Sequence, residues 1–220
     1  MENSFANYPS LQGKNILITG GASGIGKELV KGFAEQGANV AFLDLNDEAG
    51  ERLSLDIGEN VFFQKCDLKE VGNLKSSIEK LRAKIGLFDV LVNNAAHDDR
   101  HNWQDVTEAY WDERFATNLR HQFFTIQSVA RDMIQKGGGS IVNIGSNSWM
   151  EAVGNFPAYA TAKSAVHGLS RTLARDLGKH RIRVNTVVPG WIMTDRQKEL
   201  WVTPEGLDNQ HKRQCLPDLI

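Results

Sequence analysis

The sequence predicts a single α/β domain built on a doubly wound parallel sheet with helices on both faces. Six short apolar segments alternate with longer segments whose apolar residues recur at helical spacing. Strands that are apolar nearly throughout are typical of sheets covered on both faces. Alternation of strands and helices predicts parallel strands with right-handed crossovers. The predicted strands are NILIT (15–19), NVAFLD (39–44), VFFQKCD (61–67), FDVLVNN (88–94), SIVNIGS (140–146) and IRVNTVV (182–188).

Helices are predicted in the connections between these strands. In the first connection, Ile25, Leu29 and Phe33 repeat at helical spacing, and Gly37 is placed to end that helix as a C-cap. No internal repeat and no linker composition divides the chain, so the whole of 1–220 is predicted to be one domain. The other predicted helical segments are 74–85, 107–136 and 157–177.

Composition argues against several classes of protein. The 220 residues are 41% hydrophobic and 24% charged, which is ordinary for a globular domain. A net charge of −2 argues against nucleic acid or an anionic membrane as the main partner. Cys66 and Cys215 are far apart and lack metal-ligand spacing, which indicates a reducing compartment. No signal-peptide pattern or long apolar run is present, so we expect a cytoplasmic protein.

A glycine-rich segment, TGGASGIG (19–26), follows the first predicted strand and opens the first helix. Backbone N–H groups at a helix N-terminus form a ready anion site. Gly20 would permit a tight turn, Gly24 the close approach of a pyrophosphate, and Gly26 the close packing of helix on strand. A plain glycine-rich turn is the alternative, but the strand before it and the helix after it favour a phosphate site.

Asp44 ends the second predicted strand. A carboxylate at this place accepts the ribose hydroxyls of a dinucleotide and repels a 2′-phosphate. No Lys or Arg that could bind such a phosphate occupies positions 43–47. The sequence therefore predicts NAD in preference to NADP, although a strand-end aspartate is also common in turns.

In their order, these and later motifs resemble the classical short-chain dehydrogenase/reductase family, which has a Rossmann fold. The motifs are T-G-x-x-x-G-x-G (19–26), CDL (66–68), NNAA (93–96) with Ala96 in place of the usual glycine, Asn118, Ser146, Tyr159-x-x-x-Lys163 and VPGWIMT (188–194). The resemblance covers essentially the whole chain. It implies that the cofactor contacts Gly20, Ser23, Gly24, Ile25, Gly26, Asp44, Asp67, Leu68, Asn94, Ala95, Tyr159, Lys163, Pro189, Ile192 and Thr194.

Tyr159 and Lys163 are four residues apart, so on a helix they are surface neighbours. Lowering a tyrosine pKa by two to three units requires roughly 3–4 kcal/mol. One ammonium at ~4 Å in an effective dielectric of ~20 supplies about that much. The pair is thus predicted to act as the base of an alcohol oxidation, although spacing alone would also suit a surface pair. The resemblance adds that Lys163 binds the nicotinamide ribose, Ser146 orients the substrate oxygen and Asn118 holds a relay water.

The segments predicted to line the substrate pocket mix hydrogen-bonding groups with indoles, a combination that suits sugars. The motifs DDRH, AYWDER, NLRH, GSNSW, TDRQ and TPEG closely resemble bacterial aldose 1-dehydrogenases of the D-xylose type. That resemblance implies oxidation of a cyclic sugar at its anomeric carbon to a lactone. The predicted substrate contacts are Asp98, Ser146, Asn147, Ser148, Trp149, Asn155, Phe156, Tyr159 and Trp191.

The segment HDDRH (97–101) also has the residue types of a metal site. It directly follows a predicted cofactor strand, and hydride transfer in the family needs no metal. A polar loop at the rim of the substrate pocket is therefore predicted, with no metal.

Two rival functions remain. A keto reductase for acyl or steroid substrates would have a more apolar lid than the segment at about 190–215. A nucleotide-sensing protein would not need the predicted base and its neighbours. The resemblance further implies a homotetramer, with long helices paired across a two-fold axis. It also implies a further helix and a seventh strand beyond Ile220, so we expect the chain to be incomplete at that end.

Overall fold

The structure is a computed structural model that describes residues 6–216 and 218–220. Its parallel strands form one sheet in the order β3-β2-β1-β4-β5-β6. This order changes direction between β1 and β4, so the predicted doubly wound parallel sheet is confirmed. The strands are β1 (Asn15–Thr19), β2 (Asn39–Asp44), β3 (Val61–Lys65), β4 (Val90–Asn93), β5 (Gly139–Ile144) and β6 (Ile182–Val187).

Helices cover both faces of the sheet. Helix α1 ends as predicted at Gly37, whose φ is 77°. The N–H of Gly37 donates to the carbonyl of Ala34, and that of Ala38 to the carbonyl of Phe33, the pairing of a Schellman cap. The helices are α1 (Gly24–Glu35), α2 (Asp47–Ile57), α3 (Val71–Ile85), α4 (Glu108–Phe115), α5 (His121–Gln135), α6 (Pro157–Leu177), α7 (Asp195–Leu200) and α8 (Pro204–Arg213).

The core has two layers because successive strand side chains point to opposite faces of the sheet. Leu17 of β1 belongs to the layer that packs against α3 and α5. Its neighbours Ile16 and Ile18 belong to the layer under α1 and α2. Both faces of β1 are fully buried, as the nearly continuous apolar strands predict.

Four strands are shorter at their carboxyl ends than the sequence predicts. β3 stops at Lys65, β4 at Asn93, β5 at Ile144 and β6 at Val187, and β4 also begins later than predicted, at Val90. The polar residues after them, such as Asp67 and Ser146, leave the sheet and line the site described below. Cys66 and Gly145, the first residues beyond β3 and β5, are still buried, so burial does not mark where these strands end.

The segment predicted as one helix from 107 to 136 is divided. Helices α4 and α5 are joined in line by one π-helical turn, Ala116–Arg120. Within that turn the side-chain amide of Asn118 donates to the carbonyl of Arg114 at 2.9 Å. A side chain that bonds its own helix competes with the regular backbone ladder, and π turns of this kind are frequent at functional sites.

Helix α2 and the two short helices α7 and α8 were not among the predicted helices. Each has a side-chain N-cap that the sequence displays: Asn46 accepts from the N–H of Ala49, and Thr194 accepts from the N–H of Gln197. Thr203 caps α8, which also has proline at its first position. The helices are short or weakly apolar, so the caps are their main signal.

Helix α6 has the bounds that the sequence predicts. It is the longest helix, with 21 residues, and it buries Lys163. Across the described part of the chain, no helix has both the length and the apolar composition needed to cross a membrane.

Candidate active site

A cavity of about 910 Å³ lies at the carboxyl ends of all six strands. Open parallel sheets bind ligands at this edge, where the strand order changes direction. Most of the predicted site residues line it: Gly20, Ser23, Gly24, Ile25, Gly26, Asp44, Asp67, Leu68, Asn94, Ala95, Asp98, Ser146, Asn147, Ser148, Phe156, Tyr159, Lys163, Pro189, Trp191, Ile192 and Thr194.

The conformation of the glycine loop depends on its glycines. Gly20 and Gly24 have φ angles of 67° and 53°, which L side chains adopt rarely. A Cβ on Gly26 would lie 1.8 Å from the carbonyl oxygen of Gly20, so only glycine fits there. A Cβ on Gly24 would point across the cavity, 3.4 Å from Cγ2 of Thr194. The loop thus leaves room for a ligand to approach its backbone.

The N-terminus of α1 is open to that ligand. Its first N–H groups have no partner within the helix, and the hydroxyl of its N-cap, Ser23, makes no capping hydrogen bond. Asn94 holds the loop in place by donating to the carbonyls of Thr19, at 3.1 Å, and Gly20, at 2.9 Å. The hydroxyl of Thr19 accepts from the N–H groups of Asn94 and Ala95. These features fit the pyrophosphate of a dinucleotide.

Asp44 supports the loop and faces the cavity at the same time. One carboxylate oxygen accepts from the N–H of Ala22 and the other from the N–H of Asn46, both at 2.9 Å. The bond to Asn46 is a turn contact, which was the alternative interpretation of Asp44 in the sequence. A carboxylate has about four lone-pair positions, so acceptor sites remain for ribose hydroxyls.

Asp67 and Leu68, two of the predicted cofactor contacts, lie in the loop after β3. Asp67 accepts from the N–H of Lys69 at 3.0 Å, and its own N–H donates to the side chain of Asn73. These bonds fix the backbone of the loop after β3. Leu68 lies beside it on the cavity wall.

Tyr159 and Lys163 face each other on α6 as their spacing predicts. The ammonium of Lys163 is 5.8 Å from the centroid of the Tyr159 ring. It is 1% exposed and donates to the carbonyl of Ile144 at 2.7 Å. Ser146, two residues after that carbonyl, shares a hydrogen bond with the hydroxyl of Ser148 at 2.9 Å. The end of β5 therefore positions both Lys163 and Ser146.

The pKa values of the pair differ from the sequence-based expectation. Burial raises the pKa of Tyr159 to about 12, although hydrogen bonding to Ser146 and the charge of Arg100 lower it in part. Burial also lowers the pKa of Lys163 to about 8, while Asp98 acts to raise it. The expectation that Lys163 brings the tyrosine pKa below its ordinary value is therefore not met in the chain alone. Desolvation is the largest cause of both pKa shifts.

Asn118 lies beside this cavity and does not line it. Its side chain is fully buried and bonded to backbone: its oxygen accepts from the N–H of His97 at 2.7 Å, and its amide donates to the carbonyls of His97 and Arg114. The carbonyl of Asn118 accepts from the side chain of Gln122 at 3.3 Å. The residue thus joins the π turn to the loop after β4.

The loop after β4 and helix α7 meet over the substrate side of the cavity. Asp98 accepts from the side chain of Gln197 at 2.8 Å, and Asp99 pairs with Arg196 at 2.6 Å. Gln197 in turn accepts from the indole of Trp191 at 2.9 Å. The polar HDDRH segment is therefore a rim of the pocket, held to the predicted lid.

Two predicted substrate residues do not reach the cavity lining. Trp149 is 36% exposed and packs edge-on against His167 at 5.2 Å. Asn155 is exposed with φ 66°, and its carbonyl accepts from the N–H of His101. Both positions turn away because the backbone between β5 and α6 bends there, which spacing along the sequence did not reveal.

Arg100 and Gln197 line the cavity but were not predicted as site residues. Trp201, one of the indoles in the predicted pocket segments, also lines it. His121 is fully buried near Lys163, and its ring makes no well-formed hydrogen bond to the described residues, although the carbonyls of Ala116 and Thr117 favour its charged form. Neither burial nor these tertiary contacts leave a recognisable pattern in the sequence.

The fold and this site define a dinucleotide-binding oxidoreductase, and the chain belongs to the short-chain dehydrogenase family. The family's sequence pattern, described as short chain dehydrogenase, matches residues 14–205. Enzymes of this family oxidise CH–OH groups with nicotinamide cofactors.

Named relatives extend over nearly the whole chain. A D-xylose 1-dehydrogenase of Caulobacter vibrioides is 48% identical over 99% of this chain and 87% of its own length. The Rhizobium meliloti protein named "Probable galactose dehydrogenase GalD" is 43% identical over 98% of this chain and 86% of its own. The structure of a short-chain type dehydrogenase/reductase from Mycobacterium ulcerans superposes with a TM-score of 0.89 at 26% identity, covering 94% of this chain and 78% of the other.

His121 should make the fold sensitive to acid. Burial and the charge of Lys163 lower its pKa from 6.5 to about 3. Between those values the unfolded chain binds a proton that the folded chain does not, so stability falls as the pH falls through this window. We expect His121 to account for about 2 kcal/mol of the loss between pH 7 and pH 5.

Urea unfolding of wild type and His121→Gln at both pH values measures this loss, with His211→Gln on an exposed helix as the matched control. His121→Gln should remove that share of the pH dependence, and His211→Gln should not. An equal pH dependence in all three proteins would show that His121 titrates normally in the fold.

Proposed function

We propose that this protein is an NAD-dependent sugar dehydrogenase that oxidises a cyclic aldose at its anomeric hydroxyl to a lactone. The observation that carries the proposal is the position of Tyr159, with Lys163 and Ser146 beside it, between two halves of one cavity. One half holds the glycine loop, and the other is lined by polar and aromatic side chains. The names of the D-xylose and galactose relatives support a sugar as substrate.

The nucleotide half fits NAD. Its backbone donors suit the pyrophosphate, and Asp44 is the proposed acceptor for the ribose hydroxyls. Asp67 and Leu68 are proposed to hold the adenine. At the other end of the cavity, the backbone at Ile192 and the hydroxyl of Thr194 are proposed to hold the carboxamide of the nicotinamide. Thr194 already accepts from the N–H of Gln197 as a helix cap, and its hydroxyl proton remains to be donated.

Tyr159 is the proposed base for the substrate hydroxyl. At neutral pH a tyrosine with a pKa of about 12 keeps its proton. The site must therefore stabilise the phenolate more strongly during turnover than it does without ligands. NAD, when bound, would supply a positively charged nicotinamide ring as the hydride acceptor. The ammonium of Lys163 and the hydroxyl of Ser146 stabilise the negative oxygen from two other directions. Lys163 is also proposed to donate to the nicotinamide ribose.

Asn118 is proposed to position a water that carries the proton onward from Lys163. Its side chain is committed to His97 and Arg114, so we assign the water contact to its backbone carbonyl. That carbonyl accepts from the side chain of Gln122 at 3.3 Å. It belongs to the π turn, where the regular helical ladder is interrupted.

The substrate half is suited to a hydroxylated ring. Asp98, Asn147 and Ser148 offer polar groups to ring hydroxyls, and Phe156 and Trp191 offer flat apolar faces. A hemiacetal donates hydride more easily than an ordinary secondary alcohol because its ring oxygen stabilises the developing positive charge. The chain need only take the anomeric proton and hold the ring against the nicotinamide. A keto reductase with an acyl or steroid substrate would require fewer polar groups here.

A homotetramer in the cytoplasm is part of the proposal. In the family the long helices pair across a two-fold axis, and here α4 and α5 expose apolar side chains. Trp111, Phe123 and Ile134 are 36%, 39% and 42% exposed. Pairing of these helices would cover them. Residues 190–215 are proposed as the substrate lid within a single catalytic domain.

Cofactor choice should depend on Asp44. If its carboxylate accepts the ribose hydroxyls, Asp44→Ala should lower kcat/KM for NAD by about 10- to 100-fold, because a hydrogen bond to a charged group is lost. The value for NADP should fall less. Asp47→Ala is the matched control, since Asp47 lies three residues away and pairs with Lys65 at 3.2 Å. An unchanged ratio of NAD to NADP in Asp44→Ala would remove Asp44 from cofactor selection.

A panel of free aldoses tests the proposed reaction. Xylose, arabinose, rhamnose, fucose, galactose and glucose are each incubated with NAD, and NADH absorbance is followed. At least one should be oxidised, with lactone formed before acid, and its 1-O-methyl glycoside should be inert because the anomeric hydroxyl is blocked. Tyr159→Phe should slow that turnover by about 10²- to 10⁴-fold.

Tyr8→Phe is the control for that variant, since Tyr8 is 56% exposed. NADH binding, measured by fluorescence, should survive in both variants. Reduction of a steroid or acyl ketone without oxidation of any aldose would contradict the sugar assignment. Wild-type turnover by Tyr159→Phe would remove Tyr159 from the mechanism.

A further inference from the structure

Arg100 is held in a stack of aromatic rings at the substrate side of the cavity. Its guanidinium lies 4.0 Å from the centroid of the Phe156 ring and 5.5 Å from that of Trp201. Phe156 in turn stacks on Tyr159, with ring centroids 5.3 Å apart and planes at 26°. The guanidinium is therefore one ring beyond the proposed base, and cation–π contacts fix its orientation.

Two donors in this stack have no hydrogen-bond partner among the described residues. Nη1 of Arg100 and Nε1 of Trp201 are buried, and neither makes a hydrogen bond to any described residue. Arg100 also forms no ion pair within residues 6–216 and 218–220, in contrast to Arg114 and Arg196. Burying such donors unpaired costs free energy, most of all for a charged group. Both residues line the cavity, where a ligand would supply the missing acceptors.

The nearby carboxylates are already engaged. Asp98 accepts from Gln197, and Asp99 pairs with Arg196 and, at 3.7 Å, with Arg114. These carboxylates therefore do not pair with Arg100, and its donors are available to a ligand.

His101 fixes the backbone next to Arg100. Its N–H donates to the carbonyl of Asn155 at 2.7 Å, and its ring accepts from the N–H of Ala158 at 3.3 Å. Its other ring nitrogen lies 2.9 Å from the hydroxyl of Tyr110. The position of Arg100 is thus built into the loop, so the guanidinium is preorganised for a partner.

We infer that Arg100 and Trp201 together bind hydroxyls of the sugar ring remote from the anomeric carbon and so determine which aldose is accepted. This inference rests on the proposed function. Arginine presents donors in a rigid planar fork, which suits two neighbouring hydroxyl oxygens. The carboxylate of Asp98 in the same cavity would repel an anionic group but accept from a hydroxyl. Hydroxyls are therefore better partners here than a carboxylate or a phosphate.

Monodeoxy analogues of the best aldose from the panel provide the test. For wild type, removing the hydroxyl that Arg100 binds should lower kcat/KM by about 10- to 100-fold, because a hydrogen bond to a charged group is lost. Arg100→Met keeps an unbranched apolar chain against Phe156 but has no donors. Its kcat/KM for the full sugar should fall by a similar factor. Its kcat/KM for the deoxy analogue should then be little lower than its value for the full sugar. Arg100→Lys, which keeps the charge without the fork, should recover only part of the loss.

Trp201→Phe is the second variant, since it removes the indole N–H and keeps a ring in the stack. In this variant, removal of one particular sugar hydroxyl should no longer lower kcat/KM, and NADH should bind as it does to wild type. Arg52→Met, at a side chain 82% exposed, is the matched control and should behave as wild type.

Unchanged discrimination among the analogues in both Arg100→Met and Trp201→Phe would overturn the inference and leave these residues a packing role. A preference for a uronic acid over its neutral aldose that disappears in Arg100→Met would also overturn it, in favour of a carboxylate. Failure of the proposed function is seen separately, because wild type would then oxidise no aldose at all.

Discussion

The burial of one ammonium, that of Lys163, is the constraint on which the site depends. A buried lysine is tolerated only if its donors are satisfied, and here the carbonyl of Ile144 at the end of β5 accepts from it. That contact places α6 against β5 and brings Tyr159 and Ser146 to the same edge of the sheet. The charge of Lys163 also helps to keep His121 neutral. One polar contact thus links the packing of the fold to the protonation of the groups around it.

The sequence predicted the elements whose residues are buried on both faces of the sheet or recur at regular spacing. β1, β2 and α6 have the predicted bounds, and at the turn predicted after β1 Gly20 has a φ of 67°. These features are local, because each needs only a short run of residues and its immediate backbone. The resemblance to a known family then supplied the proposed order of site residues along the chain.

Contacts between distant segments could not be predicted in this way. Arg100 and Trp201 are about a hundred residues apart, and nothing in the loop sequences says that they share one ring stack. The π turn contains Asn118, whose side chain contacts the distant His97, whereas periodicity alone predicts an uninterrupted helix. The raised pKa of Tyr159 shows the same limit, because spacing placed the ammonium correctly but could not give the extent of desolvation.

Deuterium at the anomeric carbon of an oxidised aldose tests the central claim most directly. If hydride leaves that carbon for nicotinamide while Tyr159 takes the hydroxyl proton, the NADH formed from a 1-deuterated aldose should carry one deuterium at C4 of its nicotinamide ring. Its mass should rise accordingly, and the product should be the unlabelled lactone. Unlabelled NADH, or an oxidised sugar that retains the deuterium at C1, would contradict oxidation at the anomeric carbon.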